Sequence, residues 1–316
     1  MPTHERVIMD FQRFLVSDSE KQRLASALRR IYFVRQPDAY FDTARGRKDL
    51  EDHAFWRYED CVKHVVPWVS RHAELANCRV LEVGCGSGSS TAAFARYVRH
   101  VDAYEITEKN VDAARSRMEV LGIENVTFHL IDPRDLCSEL ERNHPDGVDI
   151  VLLYAVLEHQ LIAERLETIQ ATWARLKPGG LMVVGDTPNR LVYIHHHTTD
   201  LPFFDMLPNE LALIFCQRSS RPHLREALKR QMAVSREKAI ETLDRWGRGV
   251  SFHEFDAVLG NLRDLVVGDG YDEEILLRKN LQLEEELLRT FMVEKCSEVP
   301  VGFSRASLDL ILRKPQ

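Results

Sequence analysis

Little in this chain suits covalent cross-linking. Its six cysteines stand singly at positions 61, 78, 85, 137, 216 and 296 with no C-x-x-C pair, a spacing that argues for reduced thiols and against a disulfide scaffold or cysteine zinc site. No stretch approaches the run of about 18 apolar residues that a membrane-spanning helix needs. The opening MPTHERVIMDFQRFLVSDSEK mixes acids and bases and shows neither the apolar run nor the small-residue cleavage site of a secretory signal, so a cytoplasmic location is expected. There is no basic surplus either. The balance of 42 Lys and Arg against 49 Asp and Glu gives a net charge of -7, which argues against a dedicated nucleic-acid binder. Internal repeats and low-complexity tracts are absent.

What remains is an ordinary globular composition, 44% hydrophobic and 29% charged over 316 residues, enough for one large α/β domain with additions or two smaller domains. Residues 1–75 read as a helical segment, with Phe11, Phe14, Leu15, Leu24, Leu28 and Ile31 near helical spacing. From Arg79 the texture changes to short apolar runs separated by helical stretches, the alternation of a parallel sheet covered on both faces. The runs are RVLEVG (79–84), VDAYEI (101–106), VTFHLI (126–131), VDIVLLY (148–154) and LMVVGD (181–186). Residues 76–192 are thus expected to form a ligand-binding core. Residues 193–300 read as a loop and helical cap that receives the second ligand, with GVSFHEF (249–255) as a further core strand. Residues 301–316, containing ASLDLILR, read as an antiparallel edge strand. Within the cap a basic run, Arg218 to Arg248, either seats a phosphate-bearing acceptor or is a solvated face balanced by an acid-rich helix, 272–298, with which it could pair.

The strongest local signal is VLEVGCGSGSST, residues 80–91, in which a strand runs into Gly84, Gly86 and Gly88 before a helix. Glycines there allow a sharp turn and close approach of a ligand to the backbone. A dinucleotide fingerprint would want Gly or Ala at position 89, where Ser89 stands. No G-x-x-x-x-G-K-[ST] loop for a nucleoside triphosphate occurs.

The G-x-G-x-G spacing, with Glu82 two residues before it, resembles motif I of the class I S-adenosylmethionine-dependent methyltransferases. Later elements agree in order: Glu105 ending the second run, Asp132 following the third, VDIVLLYAVLEH, and LKPGGLMVVGDTPNRL. The resemblance implies a Rossmann-like, mostly parallel seven-stranded α/β sheet with an antiparallel edge, and S-adenosyl-L-methionine as cofactor. It implies cofactor contacts from Glu82, Gly84, Cys85, Gly86 and Gly88, with Glu105 on the ribose hydroxyls beside Ile106. Asp132 with Pro133 would meet the adenine, and Tyr154 would close the site. The later segments PNRL, HHHTTDLPFFDMLP and RGVSFHEFD resemble methyltransferases of bacterial glycan and small-molecule pathways, a group related to the quinone O-methyltransferases. In that group a polar residue and a histidine precede Leu-Pro-Phe; they correspond to His195 and His197.

The resemblance makes the acceptor a small molecule or glycan, by way of a hydroxyl or, second, an amine. A hydroxyl acceptor needs a nearby base, and a histidine suits that task near neutral pH. His197 leads, with His195 and His159 as supporting or rival candidates; Glu158 reads as a cap of the following helix. An extended segment would put His195 and His197 on one face, a geometry that also permits a metal site completed by Asp200, Asp205 or Glu254, although no metal is expected. Arg57, between Trp56 and Tyr58, is expected to pair with the cofactor carboxylate. Competing readings are an RNA methyltransferase and a cofactor-binding interaction protein without catalysis. A homo-oligomer is compatible with all of them.

Overall fold

The computed structural model describes residues 11–246 and 248–316, so the expected helical start is followed only from Phe11. Seven strands form one sheet: β1 (Arg79–Val83), β2 (His100–Glu105), β3 (Val126–Leu130), β4 (Val148–Tyr154), β5 (Leu176–Pro188), β6 (Val266–Asp269) and β7 (Ser307–Arg313). Their spatial order is β3-β2-β1-β4-β5-β7-β6. The first five run parallel, with Val80 paired to Val101 on one side and Ile150 on the other; β7 is antiparallel to both β5 and β6. The strand order reverses between β1 and β4, where open sheets of this kind place their ligand crevice.

Two expectations about the C-terminal third are corrected. The 301–316 strand is not the edge, because the four-residue β6 lies outside it. The 249–255 segment contributes only an isolated bridge between Val250 and Asn189, then turns into the helix Phe252–Leu259. Ser251 and Glu254 form a capping box there, Ser251 N–H donating to the Glu254 carboxylate at 3.0 Å, and that helix-start signal overrides the apolar alternation. The acidic helix Leu283–Lys295 buries Leu288 and Met292 with the sheet core, whereas the basic helices Pro222–Val234 and Arg236–Arg245 build a separate cluster with Phe204, Leu213, Leu224, Leu228 and Leu243. The two segments therefore do not share an apolar core.

The N-terminal helices cover one face of the sheet. Helix Asp18–Ile31 starts at a Ser17–Glu20 capping box and sends Leu24 and Leu28 into a cluster with Tyr58, Trp68, Val80, Val101 and Ile150. Arg117, wholly buried on the helix Glu108–Leu121, ties this segment to the glycine loop: its guanidinium donates to the carbonyls of Ser87, Ala54 and His53. Burial pulls its pKa down to about 10, so it stays charged near neutral pH. The last two carbonyls belong to the π-helical turn Asp52–Trp56, and such widened turns are frequent beside functional sites.

Candidate active site

A cleft of about 1120 Å³ opens at the carboxyl ends of β1, β2, β4 and β5. That exceeds the ordinary range for one small-molecule ligand, roughly 300–1,000 Å³, so two ligands can lie side by side. Gly84, Cys85, Gly86, Glu105, Ile106, Pro133, Tyr154 and Arg57 line it, as do His159, His195 and His197.

The three glycines have different jobs, although all have positive φ. A Cβ on Gly84 would stand 2.4 Å from Val156, and one on Gly88 would stand 2.8 Å from the Ala114 Cβ. Both serve packing. A Cβ on Gly86 would meet nothing within 4 Å, so the missing side chain there opens space on the cleft. The Gly86 N–H donates to Glu105, whose other oxygen accepts from the N–H groups of Ile106 and Thr107. Three backbone donors thus fix a buried carboxylate at the rim, beside Ile106, which is 60% exposed and offers an apolar surface. These residues suit an adenosyl group: Glu105 would take its diol and Ile106 would pack against its ring.

Three residues expected to touch the cofactor lie outside the lining. Glu82 is buried and accepts from the Ser90 and Thr91 hydroxyls, tying the helix Ser89–Ala95 to β1. Burial pushes its carboxyl up to about 7, against the pull of those hydroxyls. Gly88 faces Ala114, as described. Asp132 caps its own turn and receives the Arg134 guanidinium on both oxygens, at 2.9 and 2.6 Å, which holds it down at about 2. Tyr154 reaches the cleft, but its hydroxyl accepts from Arg278. Arg57 is exposed, and no hydrogen bond or ion pair joins it to another described residue.

The three histidines separate by environment. His195 is 3% exposed, stacked on Phe204 with ring centroids 5.2 Å apart, and its Nδ1 stands 3.0 Å from the Thr199 hydroxyl; this is a packed, structural position. His196 turns outward to Glu284 at 2.8 Å. His197 is exposed to the cleft, with its ring 6.1 Å from that of His159. Its Nδ1 lies 2.9 Å from the Thr198 hydroxyl, which donates to the Trp246 carbonyl. A hydroxyl that gives its proton away must accept from Nδ1–H, so the chain of bonds leaves Nε2 of His197 with a bare lone pair. Poor solvation between the cleft walls, then the neighbouring His159, His195, Arg221 and Arg57, lower its pKa to about 4. Arg221 also clasps the loop, donating to the carbonyls of His196 and His197 and to Asp200. His159 donates Nδ1–H to the Arg245 carbonyl at 3.1 Å, and burial lowers its pKa too.

Of the acids weighed as completing a metal site, Asp205 stays beside His195, 3.9 Å from its Nε2, and the other two are turned elsewhere. Asp200 pairs with Arg221, and Glu254 bonds Arg165 and Ser251. Among the described residues no three His, Cys, Asp or Glu groups converge as a metal would require.

Two features were not read from the sequence. Asp186 lines the cleft at a positive φ of 52° and is held low, despite its burial, by Lys279 and Arg278, which also join Asp309. Glu158 lines the same cleft wholly buried, and neither carboxyl oxygen has a described hydrogen-bond partner. It does not cap the following helix, since Glu164 takes the Leu161 N–H.

Comparison with known proteins places residues 80–180 on a family model described as a methyltransferase domain. A protein-L-isoaspartate O-methyltransferase of Nitrobacter winogradskyi is 31% identical over 179 residues, covering 55% of this chain and 73% of that protein. A ubiquinone biosynthesis O-methyltransferase of Aromatoleum aromaticum is 31% identical over 123 residues, covering 39% of this chain and 49% of that protein; the chain spans about half the length of that relative. Among solved structures, the magnesium protoporphyrin IX methyltransferase of Synechocystis with bound SAH is 23% identical, covers 52% of this chain and 66% of that one, and has a TM-score of 0.37. No helix among the described residues is long and apolar enough to cross a membrane.

Proposed function

As the chain belongs to the S-adenosylmethionine-dependent methyltransferases, we propose that it methylates a hydroxyl of a small molecule or glycan, with His197 assisting removal of the hydroxyl proton. The observation that carries the reading is the bare Nε2 of His197, held at the cleft by the Thr198 and Trp246 relay. Its cofactor, S-adenosylmethionine, supplies a methyl group already activated on a sulfonium, so no covalent intermediate with the protein is needed.

The residues divide the work accordingly. Glu105 and Gly86 would hold the ribose end, and Arg57 would meet the carboxylate. Residues 204–246, with their own apolar cluster, would close over the acceptor, latched by the paired Arg245 and Glu164 at 2.7 and 2.8 Å. Alignment and exclusion of water supply most of the rate in such a transfer. An imidazole with a pKa near 4 is a weak base, so it takes up the proton as the oxygen loses charge to the incoming carbon rather than forming a free alkoxide first.

The reading is tested by incubating the protein with methyl-tritiated S-adenosylmethionine and a small-molecule extract of the cells that make it. Label should enter a base-stable product, as an ether does and an ester does not; label confined to macromolecules would overturn it. Glu105→Ala is expected to weaken S-adenosylhomocysteine by about 1–3 kcal/mol, the range for a lost hydrogen bond to a charged group, with turnover near normal at saturating cofactor. Calorimetry measures the first; unchanged affinity would remove Glu105 from the site.

A further inference from the structure

Glu158 stands out in the cleft because no other described residue hydrogen-bonds its carboxyl. The chain leaves β4 through Ala155, a non-glycine residue at φ 50°, and enters the short 3-10 turn Leu157–His159. Strained backbone of this kind persists where the surroundings impose it, and it gathers at ligand sites. The turn sends Glu158 inward, wholly buried in the wall of the cleft. His159 Nε2 stands 3.8 Å from Oε1, beyond hydrogen-bonding reach. Arg165, the nearest buried cation by charge effect, spends its guanidinium on Glu254 and the carbonyls of Gln160, Arg248 and Gly249. Arg57 and Asp186 act on Glu158 only through space. A buried polar group without a partner opposes folding, and native proteins rarely keep one without a use.

We infer that Glu158 binds the acceptor, accepting or sharing a proton with a second O–H group next to the one that is methylated, so that the acceptor is a compound with at least two hydroxyls. This rests on the methyl-transfer reading above and deepens it. Burial raises the Glu158 pKa to about 8, so near neutral pH it is largely a carboxylic acid able to donate as well as accept.

The test compares the wild type with Glu158→Leu and Glu158→Gln. Replacing an unpaired buried carboxyl by apolar atoms of similar size relieves the fold, so Glu158→Leu should melt about 2–4 °C higher with its S-adenosylhomocysteine affinity unchanged by calorimetry. In the tritium assay on serial dilutions of the extract, the half-saturating concentration should rise roughly tenfold or more for Glu158→Leu, as for a lost hydrogen bond to a carboxyl. Glu158→Gln, which can still donate and accept, should fall between. Chromatography of the labelled product separates a sugar or alicyclic polyol from a polyphenol. A Glu158→Leu protein that melts lower than wild type, or that transfers label with unchanged half-saturation, would overturn the inference. A wild type that binds S-adenosylhomocysteine yet transfers no label would instead overturn the methyl-transfer reading, and the melting comparison would still decide whether Glu158 serves the fold.

Discussion

His197→Ala should lower turnover by roughly 10²–10⁴-fold, the usual contribution of a positioned acid or base, while leaving S-adenosylhomocysteine affinity close to wild type. The split is expected because His197 contacts none of the residues proposed to hold the ribose end: among the described residues, Glu105 is held by Gly86, Ile106 and Thr107. The pH profile gives a second readout. Because the His197 pKa is lowered to about 4, its neutral form prevails throughout the neutral range, and the acid limb of turnover should lie near pH 4 rather than near the usual histidine value of about 6.5. The same depression has a consequence for stability. The unfolded chain binds the proton more readily, so the contribution is fully present above about pH 6.5 and is lost as pH falls toward 4. His53, lowered to about 4 chiefly by burial, acts in the same direction. Thr198→Val should reproduce part of the His197→Ala loss without removing the imidazole, because Nδ1 loses its acceptor and the tautomer is no longer fixed. A stable His197→Ala protein with full turnover from pH 5 to 8 would eliminate His197 and move attention to His159, whose Nδ1–H is likewise committed to a carbonyl.

The sheet was legible because its central strands are apolar runs buried on both faces, such as RVLEV and VDIVLLY, and such runs announce themselves whatever surrounds them. Two errors came from weaker signals. The 249–255 segment alternates like a strand, yet the S-x-x-E spacing from Ser251 to Glu254 already marked a helix start. The edge strand β6 has only four residues, Val266–Asp269, too few to show a period. In the site, the expected cofactor acids divide according to who else bonds them. Glu105 faces the cleft, but Asp132 is taken by Arg134 two residues on, and Glu82 by two hydroxyls in the next helix. A sequence shows that an acid follows a strand; it does not show which neighbour reaches it first. Glu158 was read as a helix cap for the same reason, since neither its burial nor the prior claim of Glu164 on Leu161 can be seen in LEHQLIAE.

The glycine loop offers the cleanest separation of ligand space from packing. Gly86→Val should weaken S-adenosylhomocysteine at least roughly a hundredfold, about 2.8 kcal/mol, because the new side chain projects into the cleft, where no protein atom lies within 4 Å of the added Cβ. It should also lower stability by about 1–2 kcal/mol, since φ is +52° and an L-residue is strained there. Gly88→Ala should show the opposite balance. Its Cβ would stand 2.8 Å from that of Ala114 and 3.2 Å from the end of Met118, so the helix Glu108–Leu121 must shift, an overpacking cost of about 1–3 kcal/mol added to the strain of φ +75°. That loss should appear as a lower melting temperature, and the protein that remains folded should bind the ligand with nearly wild-type affinity. Calorimetry on both variants below their melting transitions separates the two effects. If Gly86→Val binds S-adenosylhomocysteine as tightly as wild type while Gly88→Ala does not, the cofactor lies on the other side of the loop and the ribose assignment of Glu105 fails with it.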